Sequence, residues 1–434
     1  MNPFLESYLN ILSREATAWQ QAFDGQFAEI FESVIVYSFA MSILWTLTSL
    51  VYVFRSHRRP APSNSEAARR YTVLIPFHGE PLAALRSAQS LAGVTPQPDE
   101  IILIDDGSPQ GLRPDAALPP NTRVLKLNER RGKAGALNEA LQSVRSEIVV
   151  CIDADTQVRS HDWRPMLHKF NDPILSGVTG KIWPIAQAGL INRFQRLDYL
   201  AVISVIKAAE TVWGGLLTVS GAFVAYRREA LCKVGGFRED KAAEDIDISW
   251  RMQCAGWRLA YDNSWTCSVE MAPTFRALWR QRRRWSSGLG QALADHGPQA
   301  LICGARHLPV VVVSVANLVW IAAILIVTGA TVYGLMFSKF GESGWPPAGD
   351  ILLAGLIGLM LFAIQFLCAT LIDGRKWRDY AGLIPILPLY PLYFWSILVS
   401  SFIAGFPRGV FRNSLGIWQP TIRTNTAEQK GILA

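Results

Sequence analysis

The sequence predicts an α/β domain, a mostly parallel sheet with helices on both faces, inserted between transmembrane α-helices. Three observations predict it. Half of the 434 residues are hydrophobic and only 18% are charged, against roughly 25% charged in an average globular chain. The apolar residues gather into long runs at 34–54, 308–337, 351–372 and 381–406, each near or above the ~20 residues that let a helix cross a bilayer. Between the first two runs, short apolar strands alternate with helical patterns, the signature of a sheet covered on both faces.

These runs divide the chain into a segment at 1–33, extracytoplasmic or interfacial; a span at 34–54; a basic linker at 55–70; an α/β domain at 71–272; an amphipathic interfacial helix at 273–296; spans at 308–337 and 351–372; a spanning or re-entrant piece at 381–406; and a tail at 407–434. The opening stretch lacks the basic start and compact apolar core of a signal peptide; Phe4, Leu5, Leu9 and Leu12 suit one apolar face of a surface helix. Arg55, Arg58, Arg59, Arg69 and Arg70 follow the first span, whereas Asp24, Glu29 and Glu32 precede it. The positive-inside rule then places the α/β domain in the cytoplasm, and Arg375, Lys376 and Arg378 suit a second cytoplasmic turn. A four-span count puts the tail outside, while Arg408, Arg412, Arg423 and Lys430 argue for inside; Pro385, Pro388 and Pro391 would break the last run. The net charge of +7 is largely this orientation signal and calls for no nucleic acid. Six cysteines without a CxxC pair point away from structural zinc, and disulfides are not expected in a cytoplasmic domain.

Within the α/β domain, Tyr71–Pro76, Ile101–Ile104, Arg123–Leu127 and Glu147–Ile152 read as strands, and Leu82–Leu91, Lys133–Val144 and Trp163–Phe170 as helices. Ligands of such sheets bind beyond the carboxyl ends of the strands, and polar residues collect there. The first strand runs into Pro76-Phe77-His78-Gly79-Glu80, the second into Asp105-Asp106-Gly107-Ser108, the fourth into Asp153-Ala154-Asp155. Asp105 and Asp106 stand at a tight turn where a carboxylate accepts from an N–H donor such as a uracil ring, or simply caps the turn. Asp153 and Asp155 share one face of an extended chain and suit Mg²⁺ or Mn²⁺ on a diphosphate; the alternative is helix N-capping by Asp155. Lys133, opening a helix after Gly132, is placed for substrate phosphate or sugar, although the spacing of a nucleoside-triphosphate loop is missing. Val219–Tyr226 reads as a strand in which Gly221, after Ser220, permits close approach. Glu244 and Asp245 open the helix to Cys254: a dipole contact, or an ionised acid facing a sugar hydroxyl as a general base. In the run Gln281–Trp285, Gln281, Arg284 and Trp285 fall on one helical face and offer an amide, a guanidinium fork and an indole plane, suited to a diphosphate and a sugar. The alternative is a basic helix lying on anionic lipid.

Taken in order, Asp-Asp-Gly-Ser, Gly-Lys, Asp-x-Asp, Ser-Gly, Glu-Asp and Gln-x-x-Arg-Trp between spans resemble a processive family 2 glycosyltransferase with the GT-A fold. Synthases of cellulose, chitin, hyaluronan and poly-β-1,6-N-acetylglucosamine share this pattern. The likeness runs furthest toward the last group, through Gly132–Ala134, Cys151–Asp155, Val219–Gly221, Glu244–Trp250 and Gln281–Trp285, and extends from about Met41 to the final spans. It implies that Pro76, Glu80, Asp106, Lys133, Asp153, Asp155, Gln281 and Arg284 hold a UDP-sugar, with Mg²⁺ or Mn²⁺ on Asp153 and mainly Asp155. Asp245, beside Glu244, would be the base, and Ser220, Gly221 and Trp285 would meet the acceptor at a channel entrance. The implied reaction inverts the anomeric carbon and polymerises N-acetylglucosamine from UDP-N-acetylglucosamine into a β-linked, β-1,6 exopolysaccharide of biofilms, moved across a bacterial inner membrane. The implied partners are the donor, the growing polysaccharide, the lipid bilayer and a small membrane accessory subunit, with cyclic di-GMP at their interface.

The chain departs from the pattern at Ala243, where relatives commonly have threonine, and at Gly79, where an asparagine is usual. Its N-terminal stretch reads as too polar for the additional span expected of relatives, and no regulatory domain of the bacterial cellulose synthase kind is expected after the last span. The alternatives are a synthase of hyaluronan, a chitin-like or a cellulose-like polymer, a non-processive lipid-linked sugar transferase, or an inactive scaffold or transport subunit; three intact acidic sites speak against the last.

Overall fold

The structure, a computed structural model, describes residues 3–57, 69–112, 117–302, 308–337, 339, 340, 342 and 345–411. Arg58, Arg59, Arg412, Arg423 and Lys430, invoked above for orientation, lie outside the described residues, as do most of the 55–70 linker and the 407–434 tail. The chain forms two compact units, Met1–Thr46 with Val313–Gln365, and Leu47–Val312 with Phe366–Ala434.

Helix α1 (Pro3–His57) comes first. It is continuous where the sequence suggested a separate segment at 1–33, because Pro3 and Gly25 are its only helix-breaking residues. In the first unit Phe27, Phe31 and Val34 of α1 pack with Val327, Ala330 and Trp345, and the Trp320 indole donates to Ser38 Oγ at 2.7 Å.

After the end of α1 the second unit continues with β1 (Tyr71–Phe77), α2 (Pro81–Gln89), β2 (Glu100–Asp105), β3 (Thr122–Lys126), α3 (Gly132–Ser143) and β4 (Ile148–Ile152). These four strands pair in parallel in the order β3-β2-β1-β4. Period-two alternation divides their apolar side chains between two cores. Val73 and Ile75 join Ala84 and Ala88 of α2 on one face, while Leu74 joins Ala136 and Ala140 of α3 on the other. Both faces are covered, so the strands read as unbroken apolar runs.

Beyond β4 the sheet becomes mixed. Next come β5 (Thr156–Val158), α4 (Arg164–His168), β6 (Leu175–Pro184), α5 (Leu190–Asp198), a π-helical turn at Tyr199–Ile203, α6 (Ser204–Trp213), β7 (Phe223–Arg227), α7 (Arg228–Lys233), α8 (Glu244–Cys254) and β8 (Arg258–Val269). The full order is β3-β2-β1-β4-β7-β6-β8-β5. β7 runs antiparallel to both β4 and β6, β5 antiparallel to β8, and β6 and β8 parallel. The strand expected at Val219–Tyr226 begins only at Phe223, because the preceding residues form a loop whose backbone is held by side chains.

Helix α9 (Phe275–Ile302) is longer than the expected 273–296; Thr274 starts it by accepting the Ala277 N–H at 3.2 Å. The remaining helices are α10 (Leu308–Phe337), α11 (Ala348–Asp373), α12 (Arg378–Ala381), α13 (Tyr390–Tyr393) and α14 (Ser400–Val410), with a 3₁₀ turn at Ile384–Leu389 and a π turn at Phe394–Val399. Among the described residues four helical stretches are long and apolar enough to cross a membrane: Gln26–Ser56, Leu318–Phe337, Ala348–Asp373 and Arg378–Val410. The last stays helical through its prolines. Pro385 and Pro391 occupy first-turn positions, where a missing N–H costs little, and Pro388 lies inside the 3₁₀ turn. The turn after α11 docks on β6: Lys181 pairs with Asp373, and the Arg375 guanidinium lies 4.1 Å from the Trp183 ring centroid.

Candidate active site

The strand ends converge on a cavity of about 470 Å³. Pro76 and Glu80 after β1, Asp106 after β2, and Asp153 and Asp155 after β4 all line it. The local chain explains their placement. Asp105 Oδ1 accepts the Ser108 N–H at 2.9 Å, closing an Asx turn. Gly107 has φ +63°, and a Cβ there would sit 2.8 Å from Arg130 N. Asp106 then reaches across to α3: its Oδ1 accepts the Arg131 N–H at 2.7 Å and its Oδ2 the Gly132 N–H at 2.9 Å. This carboxylate fastens the N-terminus of α3 to the end of β2. A uracil N–H would therefore have to share an oxygen already accepting one bond.

The joint at α3 positions Lys133, which is buried at the centre of the site. Its ammonium lies 2.7 Å from Asp153 Oδ1 and 2.8 Å from Glu244 Oε1, and donates to Gly221 O at 3.1 Å. An ammonium has three N–H donors, and protein oxygens occupy all of them. Burial would lower its pKa, but Asp153, Glu244 and Asp245 outweigh burial and raise it. In this geometry Lys133 is a hub that joins β4, α8 and the Ser220-Gly221 loop.

Adjacent acids on α8 are driven apart. Burial raises the pKa of Glu244, but Lys133 and then Arg284 overcome it and hold the group below its usual value. For Asp245, burial and the neighbouring Glu244 charge win, and its pKa is raised. Asp245 Oδ2 accepts the Gly221 N–H at 2.9 Å, and the carboxyl group lines the cavity. Opposite shifts on neighbouring acids are how one site separates a fixed charge from a proton acceptor.

The loop before β7 is held almost atom by atom. Gln253 accepts the Leu216 N–H and donates to its carbonyl, Glu210 accepts from Leu217, Lys207 donates to Thr218 O, Ser249 accepts from Val219 at 3.0 Å, and Thr179 accepts from Ser220 at 3.0 Å. At Gly221 a Cβ would lie 3.0 Å from Asp245 Oδ2 and 3.1 Å from Lys133 Nζ. Gly221→Ala is thus expected to lower turnover by about tenfold, because displacing reacting groups by fractions of an ångström is costly, with little loss of thermal stability. Turnover at saturating donor, alongside a melting curve, checks this; an unchanged rate would show that the close approach is not used.

From α9, Gln281, Arg284 and Trp285 line the cavity together. Arg284 Nη1 donates to Ala242 O at 3.1 Å. A Cβ at Gly288 would lie 2.4 Å from Ala243 Cβ, so α9 crosses the start of α8 nearly in backbone contact. Arg276 and Arg280 are exposed. Arg282, which the basic run suggests is lipid-facing, is instead 7% exposed and donates to Asp198 Oδ2 at 2.7 Å; a buried carboxylate on α5 draws it inward.

Lys207, Leu398, Ser401 and Phe402 also line the cavity and were not singled out from sequence, and Arg282, read there as lipid-facing, lines it too. Lys207 and Glu210, three apart and the two charged residues of α6, were the legible signal; burial lowers the pKa of the first and raises that of the second. Leu398, Ser401 and Phe402 were hidden in a run that reads as a span.

Comparison with known proteins places this geometry. Residues 72–235 match the sequence model of glycosyl transferase family 2. The chain carries a family 2 glycosyltransferase domain. The matched stretch runs from β1 past Gly221 and stops before Glu244, Asp245 and α9. The transferase is 26% identical over 413 residues to the poly-β-1,6-N-acetyl-D-glucosamine synthase of Staphylococcus aureus strain COL, covering 92% of this chain and 99% of the relative. The synthase of Staphylococcus epidermidis, also 26% identical, matches over 414 residues, 91% of this chain and 99% of the relative. Among solved structures, a mannosyltransferase from Pyrobaculum calidifontis in complex with GDP-Man and Mn²⁺ superposes with TM-score 0.51 at 21% identity, over 88% of this chain and 99% of that one. That likeness is one of fold. The α/β unit is a GT-A-like glycosyltransferase domain flanked by helices able to cross a membrane.

Proposed function

We propose that this glycosyltransferase polymerises N-acetylglucosamine from UDP-N-acetylglucosamine into a β-1,6-linked polysaccharide and passes the product across a bacterial inner membrane, with the GT-A-like domain on the cytoplasmic side. One observation carries the reading: a single cavity is lined by Asp106, Asp153 and Asp155 at the strand ends and by Leu398, Ser401 and Phe402 of the last membrane-length stretch. A donor site that opens onto such a helix suits an enzyme that extrudes what it makes. The synthase relatives, matched over nearly their full length, support the choice of sugar and linkage.

In this reading Asp245 takes the proton of the acceptor hydroxyl as its oxygen bonds to the anomeric carbon. The bond from that carbon to the UDP oxygen breaks, and inversion yields the β-linkage. Arg284 and Gln281 face the leaving diphosphate, and Trp285 presents its ring to the acceptor sugar. Asp153 and Asp155 fit a divalent cation. They are hard oxygen donors at one strand end, and such ions use one or two carboxylates together with substrate phosphates. Mg²⁺ or Mn²⁺ bound there would neutralise the departing diphosphate.

The purified protein in nanodiscs, supplied with labelled UDP-N-acetylglucosamine and Mg²⁺ or Mn²⁺, is expected to release a polymer that a β-1,6-specific hydrolase degrades. Chelation should stop synthesis, and either metal should restore it. A polymer resistant to that hydrolase, or a single transferred sugar, would refute the linkage or the processivity.

A further inference from the structure

Arg282 raises a physical question that the reaction does not answer. A buried ion pair is at best a neutral contributor to stability compared with apolar residues of similar volume, yet Arg282 and Asp198 are both buried and joined at 2.7 Å. Their neighbours suggest what the pair does. The Arg282 guanidinium carbon lies 4.4 Å from the centroid of the Trp285 ring, one helical turn further along α9, and 5.9 Å from that of Tyr199. Both distances are within cation–π range. Among the described residues Arg282 Nε has no hydrogen-bond partner; the guanidinium is held by these rings and by Asp198, with the Tyr393 hydroxyl beside it.

Asp198 ends α5, immediately before the π-helical turn Tyr199–Ile203. Its second oxygen, Oδ1, accepts the Tyr390 hydroxyl at 3.0 Å. Tyr390 belongs to α13, within the stretch Arg378–Val410 that is long and apolar enough to cross a membrane. One carboxylate therefore holds both the cation against Trp285 and the hydroxyl of this stretch. Tyr199, Arg282 and Trp285 all face the cavity.

We infer that Arg282, Asp198 and Tyr390 form a positioning relay that fixes the Trp285 indole relative to the last membrane-length helix, keeping the acceptor platform aligned with the product's exit. The inference rests on the reading of Trp285 as that platform. Asp198 supplies the shared anchor, Arg282 the flat cation behind the indole, and Tyr390 the tie to the helix. None of the three takes part in bond making. Their effect appears in where the ring sits and how well it engages the acceptor.

The test uses the full chain in nanodiscs, labelled with 5-fluorotryptophan. Of the 15 tryptophans, Trp285 is identified by the ¹⁹F signal lost in Trp285→Phe. Arg282→Met and Asp198→Asn should shift or broaden that signal selectively. They should also raise the KM for a short β-1,6-linked N-acetylglucosamine oligosaccharide by about tenfold, the size expected of a desolvated cation–π contact, at unchanged UDP affinity. Arg282→Lys should recover part of both effects, and Tyr390→Phe should move the signal in the same direction by less. A Trp285 signal unmoved in Arg282→Met and Asp198→Asn overturns the relay, as does a loss of UDP affinity matching the rise in acceptor KM. If either variant disturbs every signal, Tyr390→Phe decides, since it removes one hydroxyl and keeps the ring: a moved Trp285 signal supports the relay and an unmoved one overturns it. If the signal moves while acceptor KM stays constant even in Trp285→Phe, the relay stands and the acceptor role of Trp285 falls.

Discussion

Asp245→Asn is expected to lower turnover by about 10²–10⁴-fold, the range a positioned general base contributes, while leaving UDP binding nearly unchanged. The substitution is mild for the fold. An asparagine carbonyl can still accept the Gly221 N–H that Asp245 Oδ2 accepts at 2.9 Å, so the loop keeps its anchor. Lys133 retains its two direct carboxylate partners, Asp153 and Glu244. The ability to take up a proton is removed, together with the negative charge and one of two acceptors, since Asp245 Oδ1 also accepts the Ile246 N–H at 3.0 Å. Rapid-mixing measurement of a single round of transfer, paired with a UDP titration, separates chemistry from binding. Near-normal turnover would move the base to another acid of the cavity. Glu244 is the weaker alternative, since Lys133 and Arg284 stabilise its charge and lower its proton affinity.

The same assignment has a pH consequence. Burial and the adjacent Glu244 raise the Asp245 pKa, so Asp245 binds a proton at a higher pH than an ordinary carboxyl group. A base must be unprotonated to act. The wild-type rate should therefore fall as pH drops through that raised value, and this acid-side decline should be absent from the residual activity of Asp245→Asn.

How much of this was legible in the sequence depended on whether the determining partner was near in the chain. β1, β2 and β4 were readable because burial on both faces demands unbroken apolar runs, and Asp106, Asp153 and Asp155 were readable because they follow those runs directly. β6 and β8 were not recognised. They carry Ser176, Thr179 and Lys181, and Asp262, Ser264 and Thr266, polar residues that interrupt the apolar pattern; Thr179 is satisfied by the distant Phe223 O and Ser220 N–H and Lys181 by Asp373, while Asp262 and Ser264 bond to each other. The role of Lys133 was only partly visible, because Glu244 and Gly221 reach it through the fold. Arg282 lies in a basic run whose pattern suggests a lipid surface, and nothing local reveals that Asp198, 84 positions earlier, buries it. The prolines of the last run suggested a break, but Pro385 and Pro391 occupy first-turn positions where helical geometry tolerates a missing N–H.

Gly409→Ala is expected to destabilise the catalytic unit far more than its single methyl suggests. Gly405 and Gly409 stand four apart on α14, and with Gly290 on α9 they bring the two helices into backbone contact, as small residues do in close helix pairs. A Cβ at Gly409 would lie 2.0 Å from Ser287 O and 2.9 Å from Gln291 N; one at Gly405 would lie 2.3 Å from Arg283 O; one at Gly290 would lie 2.4 Å from Phe406 O. The obstructing atoms are main-chain, so no rotamer change relieves them and the helices must separate. Overpacking typically costs about 1–3 kcal/mol, and this case falls at or above the upper end. The hydrogen bond from the Trp279 indole to Ser400 Oγ at 2.9 Å also links the two helices and would be strained. Since α9 carries Gln281, Arg284 and Trp285 while Ser401 and Phe402 of α14 line the same cavity, separation should reduce transfer as well as stability. Gly355→Ala on α11 is the matched control, because a Cβ there meets nothing within 4 Å and alanine is favoured over glycine in a helix by about 1 kcal/mol. Melting curves in one detergent should show Gly409→Ala well below the wild type and Gly355→Ala at or above it. Equal melting temperatures for the two variants would mean that α9 and α14 do not meet through their backbones.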